Sequence, residues 1–392
     1  MIGSSPDCLL TMSMSQPTDA IGPAVVVNDS PVRASSARWP ALDGMRGLMT
    51  IGVFLAHISY QWVPGAILFM DSFFMMSSFF ITRLLLKDWQ RHGQIHFAAF
   101  YVRRLKRLYP ALLAMVVPVA LFAVFYLGHG LDRLVNVWGT IFYYGNWLRA
   151  LEIPHEKYLG HTWSLSIEEQ YYLVWPALFA LGLALSSRWR RTTGPREVNL
   201  LFWSLALGAV VVFCMAWRSW LALHGASWER TYNGTDMRLD SLALGALLAL
   251  VFDRRPVQWA CEQLARPWLV WAMIAVMIVG AMRVNVTVMQ WYAWQQPLFV
   301  LLSLLLIMSF LKTPTGWGLG FAFQNPVSLY LGAICYGLYL WHYPLIWTCY
   351  AVFDLGVWPT FLICAPLSLA LASASYFLLE LPALNGNRGT AK

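Results

Sequence analysis

The chain has 392 residues, of which 59% are hydrophobic and only 12% charged, with a mean hydropathy of +0.55. A soluble domain carries about a quarter charged residues, so the composition excludes a soluble globular protein and implies an all-α polytopic membrane protein. The net charge of +8 belongs first to cytoplasmic loops rather than to nucleic acid, and the six cysteines, with no CxxC pair, give neither a disulfide framework nor a metal site.

Residues 1–40 are rich in Ser, Pro and Asp and read as a disordered cytoplasmic tail without a cleaved signal peptide, a start codon placed too early being the alternative. A transmembrane region follows over 41–382, and 383–392 reads as a second cytoplasmic tail. Hydropathy gives candidate spans at 44–62, 66–86, 109–128, 163–186, 199–223, 237–252, 268–283, 296–311, 327–350 and 358–380. Basic clusters at Lys87–Arg107, Arg188–Arg196 and Arg254–Arg255, with Lys312, Arg388 and Lys392, all fall on one side if there are about ten spans and both termini are cytoplasmic. The stretch Leu134–Leu151, between His129 and His155, then has no room to cross and is expected to be re-entrant or to lie on the surface. The 21 tryptophans fit interfacial belts.

The first span, LDGMRGLMTIGVFLAHISY, opens at Asp43 and Gly44, a plausible cap, and carries Arg46 in its first turn. His57 stands eleven residues on, about 16 Å along the axis and at membrane depth. A polar group there is expensive, so His57 is either satisfied by a neighbouring helix or a general base reached by two substrates. Span two holds Asp71, Ser77 and Ser78, small polar residues that suit close helix packing.

In FYVRRLKRLYPALL, Arg103, Arg104 and Arg107 can share a helix face near Pro110 and grip phosphates, with Tyr109 available to stack on a base. Charge that merely sets topology is the competing explanation. In HTWSLSIEEQYYLVWP, Ser164, Glu168 and Tyr172 recur every four residues and line one stripe, with Glu169 turned about 100° away. Stabilisation by an arginine competes there with an active-site role. TDMRLDSLALGALL carries Asp236, Arg238 and Asp240 at the outer mouth of span six. YGLYLWHYPLIW places Trp341, His342 and Pro344 inside span nine, where the proline should kink the helix and free a carbonyl. No HxxxH or ExxH stands on any span, so no metal is expected.

In this order, LDGMRG with Arg46-x10-His57, DSFFMMSSFFIT, RRLKRLYPAL, HTWSLSIEEQYYLVWP, RLDSLALGALL, LYLWHYP and SYFLLELP closely resemble the acyltransferase-3 family of integral-membrane acyltransferases, from Arg38 to Pro382. The resemblance implies ten spans in a bacterial cell membrane, an acyl-CoA donor from the cytoplasm and an acceptor hydroxyl, usually on a sugar. It implies that His57 and Arg46 are essential, that Arg103, Arg104 and Arg107 serve the donor, and that the Glu168 motif belongs to the site. Trp163, Ser164, Tyr172, Arg238, Asp240 and His342 follow as substrate contacts. Two departures, Ser78 for a usual glycine and Leu381 for a usual basic residue, suggest adjusted packing. The esterase-like domain fused to some members is not expected, and the first two motifs look closer to the macrolide-acylating branch.

The expected chemistry is direct acyl transfer, with His57 as base, Glu168 in support, and oxyanion donors drawn from Ser164, Tyr172 or Trp163. A transporter or flippase of acylated or glycan substrates is the rival, since buried His, Glu and Arg also suit a proton-coupled carrier.

Overall fold

The computed structural model describes residues 39–130, 134–188, 198–283, 288–313 and 318–386, and every regular element among them is helical. Residues 1–38 and 387–392 of the predicted tails and most of the Arg188–Arg196 cluster lie outside the described residues, while 383–386 are helical, the end of α16. The chain order is α1 (Pro40–Ile58), α2 (Phe69–His92), α3 (Phe97–Phe125), the short α4 (Val135–Ile141) and α5 (Gly145–Ala150), then α6 (Trp163–Arg188) and α7 (Leu200–Leu223). It continues with α8 (Trp228–Asn233), α9 (Leu239–Val251), α10 (Arg255–Leu264), α11 (Pro267–Arg283) and α12 (Gln296–Phe310). The last elements are α13 (Leu319–Gln324), α14 (Pro326–Ala351), α15 (Val357–Ser375) and α16 (Leu381–Gly386).

All ten predicted segments fall on helices, but length and apolarity alone do not reach the predicted count of ten spans. Among the described residues six helices satisfy both, and a seventh is added if α10 and α11, bent by 74°, form one broken span. Helices α6 and α14, at 26 residues each, are about 39 Å long, enough to cross, but polar side chains interrupt their apolar surface. Helix α9 has only 13 residues. The Leu134–Leu151 stretch forms α4 and α5, of seven and six residues, each too short to cross a bilayer core.

Two helix starts differ from expectation. Helix α1 begins a turn early, at Pro40, because a proline at the first position already has helical φ and lacks only an N–H with no partner to lose. Asp43 therefore sits in the first turn rather than capping it. Helix α3 begins at Phe97 and runs unbroken through Pro110 and Pro118, so the arginine run lies inside a long helix and not at its mouth.

Glycines set the closest approaches. A Cβ at Gly47 would lie 2.5 Å from the Gly332 nitrogen, and one at Gly332 would lie 2.2 Å from the Asp43 carbonyl oxygen. Only a residue without a side chain lets α1 and α14 meet backbone to backbone in this way. Helix α9 meets α2 likewise, since a Cβ at Gly245 would fall 2.1 Å from both the Met75 carbonyl oxygen and Ser78 Oγ. That contact accounts for the Ser78 departure: the facing glycine makes room for the hydroxyl, which donates to Met75 O at 3.1 Å. Outward, α7 presents Leu201, Leu205, Val212 and Phe213, and α15 presents Leu362, the apolar coat of a lipid-facing helix.

Candidate active site

Eleven residues turn a helix through about three turns plus 20°, so Arg46 and His57 lie on nearly the same face of α1. Thr50 falls between them, its hydroxyl donating to the Arg46 carbonyl at 2.8 Å. A cleft opens beside the Arg46 and Thr50 part of this stripe. Its polar lining is Arg46, Thr50, Ser164, Glu168 and Tyr339, and its apolar wall includes Met70, Phe73 and Phe74.

At the Arg46 end, side chains of α3 and α6 approach the first helix. Arg46 shares its surroundings with Asp43 and Glu168, and Arg107 with Asp43, Arg46 and Glu380. The Arg104 guanidinium lies over the Tyr172 ring, 3.5 Å from its centroid, and 3.6 Å from Glu169 Oε1. Its Nε is buried with no hydrogen-bond partner. Ser77 of α2 is hydrogen-bonded to the Tyr172 hydroxyl and also faces Glu168. Arg103 is not brought to this group. It is exposed, one residue and about 100° around α3 from Arg104, and makes no ion pair among the described residues.

At the other end, His57 Nδ1 and His342 Nε2 are 3.0 Å apart. His342 Nδ1 is 3.0 Å from the Leu338 carbonyl, which can only accept, so that nitrogen carries the proton of the neutral ring. His342 Nε2 then accepts from His57 Nδ1–H, and the lone pair of His57 Nε2 is left free. His342 is buried and His57 is half-buried. A lone pair oriented by a second histidine at a partly accessible position can accept a proton from an incoming hydroxyl.

His161 completes the cluster. Its ring stacks on Tyr343 at 4.9 Å and meets His342 at 5.5 Å. Pro344, as expected, leaves a carbonyl without a helical donor; this is the carbonyl of Leu340, which faces His161. Helix α14 nevertheless stays continuous through Pro344. Between the histidines and the cleft stands Tyr339, whose hydroxyl donates to the His161 carbonyl at 2.6 Å. Ser164 Oγ, 2.6 Å away, must therefore donate to the tyrosine oxygen. Ser164 is thus engaged as a donor to Tyr339, and the Tyr172 hydroxyl is hydrogen-bonded to Ser77. Trp163 packs between Phe74 and Tyr232, under the Arg238 guanidinium.

Arg238 and Asp240 do not line the cleft. Arg238 Nη1 pairs with Asp71 at 3.0 and 3.1 Å, while its Nε and Nη2 donate to the Tyr232 carbonyl. Ser241 and Gln296 also donate to Asp71. Asp240 accepts from Arg218 at 2.7 Å, both side chains being fully buried. These bonds join α2, α7, α9 and α12 and hold both side chains away from the cleft, although Arg218 Nε and Gln296 Oε1 are buried without a partner.

Sequence reasoning passed over His161, Tyr339 and Arg149. The Tyr339–His342 spacing of three, which puts both on one helix face, was a usable signal. Arg149, which donates to the Gly160 carbonyl at 2.8 Å and pairs with Glu229 at 3.2 Å, gave none, since it lies in the short α5.

The family profile described as "Acyltransferase domain" matches residues 39–377. The peptidoglycan O-acetyltransferase OatA of Listeria monocytogenes is 28% identical over 365 residues, covering 89% of this chain and 56% of that protein. The O-acetyltransferase OatA of Staphylococcus aureus is 29% identical over 366 residues, covering 88% and 57%. The chain thus spans a little over half the length of the curated relatives it matches. No solved structure matches it. With its ordered motifs and nearly all of its helices inside the matched residues, the chain belongs to the acyltransferase-3 family of membrane acyltransferases.

Proposed function

We propose that this protein moves an acyl group from acyl-CoA to a hydroxyl, on a sugar of a macrolide, a glycolipid or an envelope glycan. The observation that carries the reading is the free lone pair of His57, oriented by His342, at one end of a stripe whose other end carries Arg46, near Arg104 and Arg107 of α3. Arg104 and Arg107, beside Arg46, would bind the CoA phosphates from the cytoplasm, with Arg103 at the exposed margin. His57 Nε2 would take the acceptor hydroxyl proton as the oxygen attacks the thioester carbonyl. The C–S bond then breaks, and the imidazolium returns its proton to the departing thiolate. The names of the O-acetyltransferase relatives support an acetyl group as the cargo and peptidoglycan as one acceptor class.

The proposal includes ten crossings: the six long apolar helices, the α10–α11 pair, α6, α9 and α14. Both termini are then cytoplasmic, in the cell membrane, with lipid as the surrounding partner. The test is purified protein with a panel of acyl-CoAs and sugar acceptors, following free CoA thiol and reading products by mass spectrometry. Acceptor-dependent thiol release supports transfer; substrate movement across vesicles without thiol release would support the transporter instead.

Arg104→Ala and Arg107→Ala should raise the KM for acyl-CoA more than that for the acceptor, since a phosphate contact is mostly ground-state binding. Lysine should rescue only partly, as it lacks the bidentate fork. Unchanged acyl-CoA saturation in both variants would leave the arginines as topological charge. Glu168→Gln keeps the side-chain shape and removes the charge. If the carboxylate serves the reaction, turnover should fall at least about tenfold with melting temperature unchanged. If it only neutralises Arg46, stability should drop by about 3–5 kcal/mol and the surviving protein should keep its turnover.

A further inference from the structure

We propose that Asp88, His92 and His96 form a binding site for a divalent transition-metal ion of the zinc class, at the corner where α2 turns into α3. The three residues follow at intervals of four, but α2 ends at His92. Gly93, at φ 72°, turns the chain back, and His96 becomes the residue preceding α3, with no capping bond from its side chain. The turn brings both rings onto one carboxylate. His92 Nδ1 is 2.8 Å and His96 Nδ1 3.0 Å from the same oxygen, Asp88 Oδ1. The rings meet edge to face, with centroids 4.9 Å apart. The three candidate ligand atoms all lie within 4.8 Å of one another.

Ligands around a tetrahedral zinc ion, each about 2.0–2.1 Å from the metal, stand roughly 3.3 Å apart. The triad is close to that triangle already, and small side-chain rotations open it. Asp88 is held for the task by a second bond, its Oδ2 accepting the His96 backbone N–H at 2.8 Å. Gln94 Nε2 lies 3.0 Å from His96 Nε2. With its amide turned over, Gln94 would accept from Nε2–H and secure the tautomer whose Nδ1 binds metal. The two imidazoles and one carboxylate select zinc, nickel or copper over calcium or magnesium. The histidine side chains are 52% and 41% exposed, so an ion can reach them and keep water in its remaining position. The triad begins two residues past the predicted end of span two, outside the spans on which no paired histidines stand.

The ion would clamp the start of α3, the helix that carries Arg104 and Arg107, but the binding test is independent of the acyltransfer reading. The full chain in detergent, stripped with EDTA, is titrated with zinc chloride by calorimetry and with cobalt(II) by visible absorption. One ion per chain is expected, with the visible bands of tetrahedral cobalt. His92→Ala and His96→Ala should each weaken binding at least about tenfold. His224→Ala, at the exposed end of α7, should leave it unchanged. Absence of saturable one-to-one binding, or binding that persists at full affinity in the His92→Ala/His96→Ala double variant, would overturn the site and leave an ion-paired corner.

Discussion

His57→Ala is expected to lower acyl transfer by about 10²–10⁴-fold, the usual worth of a general base. The His57 side chain is hydrogen-bonded only to His342 and to the Val53 carbonyl of its own helix and is half-buried, so the variant should insert and melt like the parent protein. Acyl-CoA saturation should be unaltered, because Arg46 lies about 16 Å away along α1 and Arg104 and Arg107 sit on another helix, α3. The measurement is initial rate of thiol release against both substrates, together with a melting curve on the same preparation. Turnover within a few-fold of the parent would remove His57 from the chemistry. Turnover lost along with folding would reassign it to packing.

Asp71→Ala should act in the opposite way. It strands the Arg238 guanidinium, which is 1% exposed, and also leaves Ser241 and Gln296 without their acceptor. Removing one partner of such a buried pair costs about 3–5 kcal/mol, enough to consume much of a typical stability margin. Arg238→Ala should destabilise similarly. Double replacement by an apolar pair of similar volume should recover most of the loss, because no unpaired charge remains. The readouts are melting temperature and yield of folded protein. Normal melting with abolished transfer would return Arg238 to the substrate contacts that its motif first implied.

Much of the architecture was legible in the sequence because burial in lipid demands apolar helices, and each expected segment does fall on a helix. Only six of them, or seven with the bent pair, are long and apolar enough to cross by length and composition alone. Arg46 and His57 were legible too, since helical spacing alone puts them on one face. Polar residues that lie far apart along the chain were not. Arg238 and Asp240 look like site residues in a motif, and only their partners Asp71 and Arg218, on other helices, reveal them as packing groups. Arg103 could share a face with Arg107 by spacing, yet the partners that select a face, Tyr172 and Glu169, come from α6. The tautomers of the histidines depend on carbonyls that α14 supplies, and no spacing rule yields them.

The glycine-lined contact of α1 with α14 has a consequence for biosynthesis. His57 and His342 are 285 residues apart, so the pair cannot exist until nearly the whole chain has left the ribosome and entered the membrane. The early helices can gather the arginine end first, but the nascent protein has no oriented base while they do so. On the proposed reading an incomplete chain would lack its oriented base, and competence would arrive only with the penultimate long helix, α14.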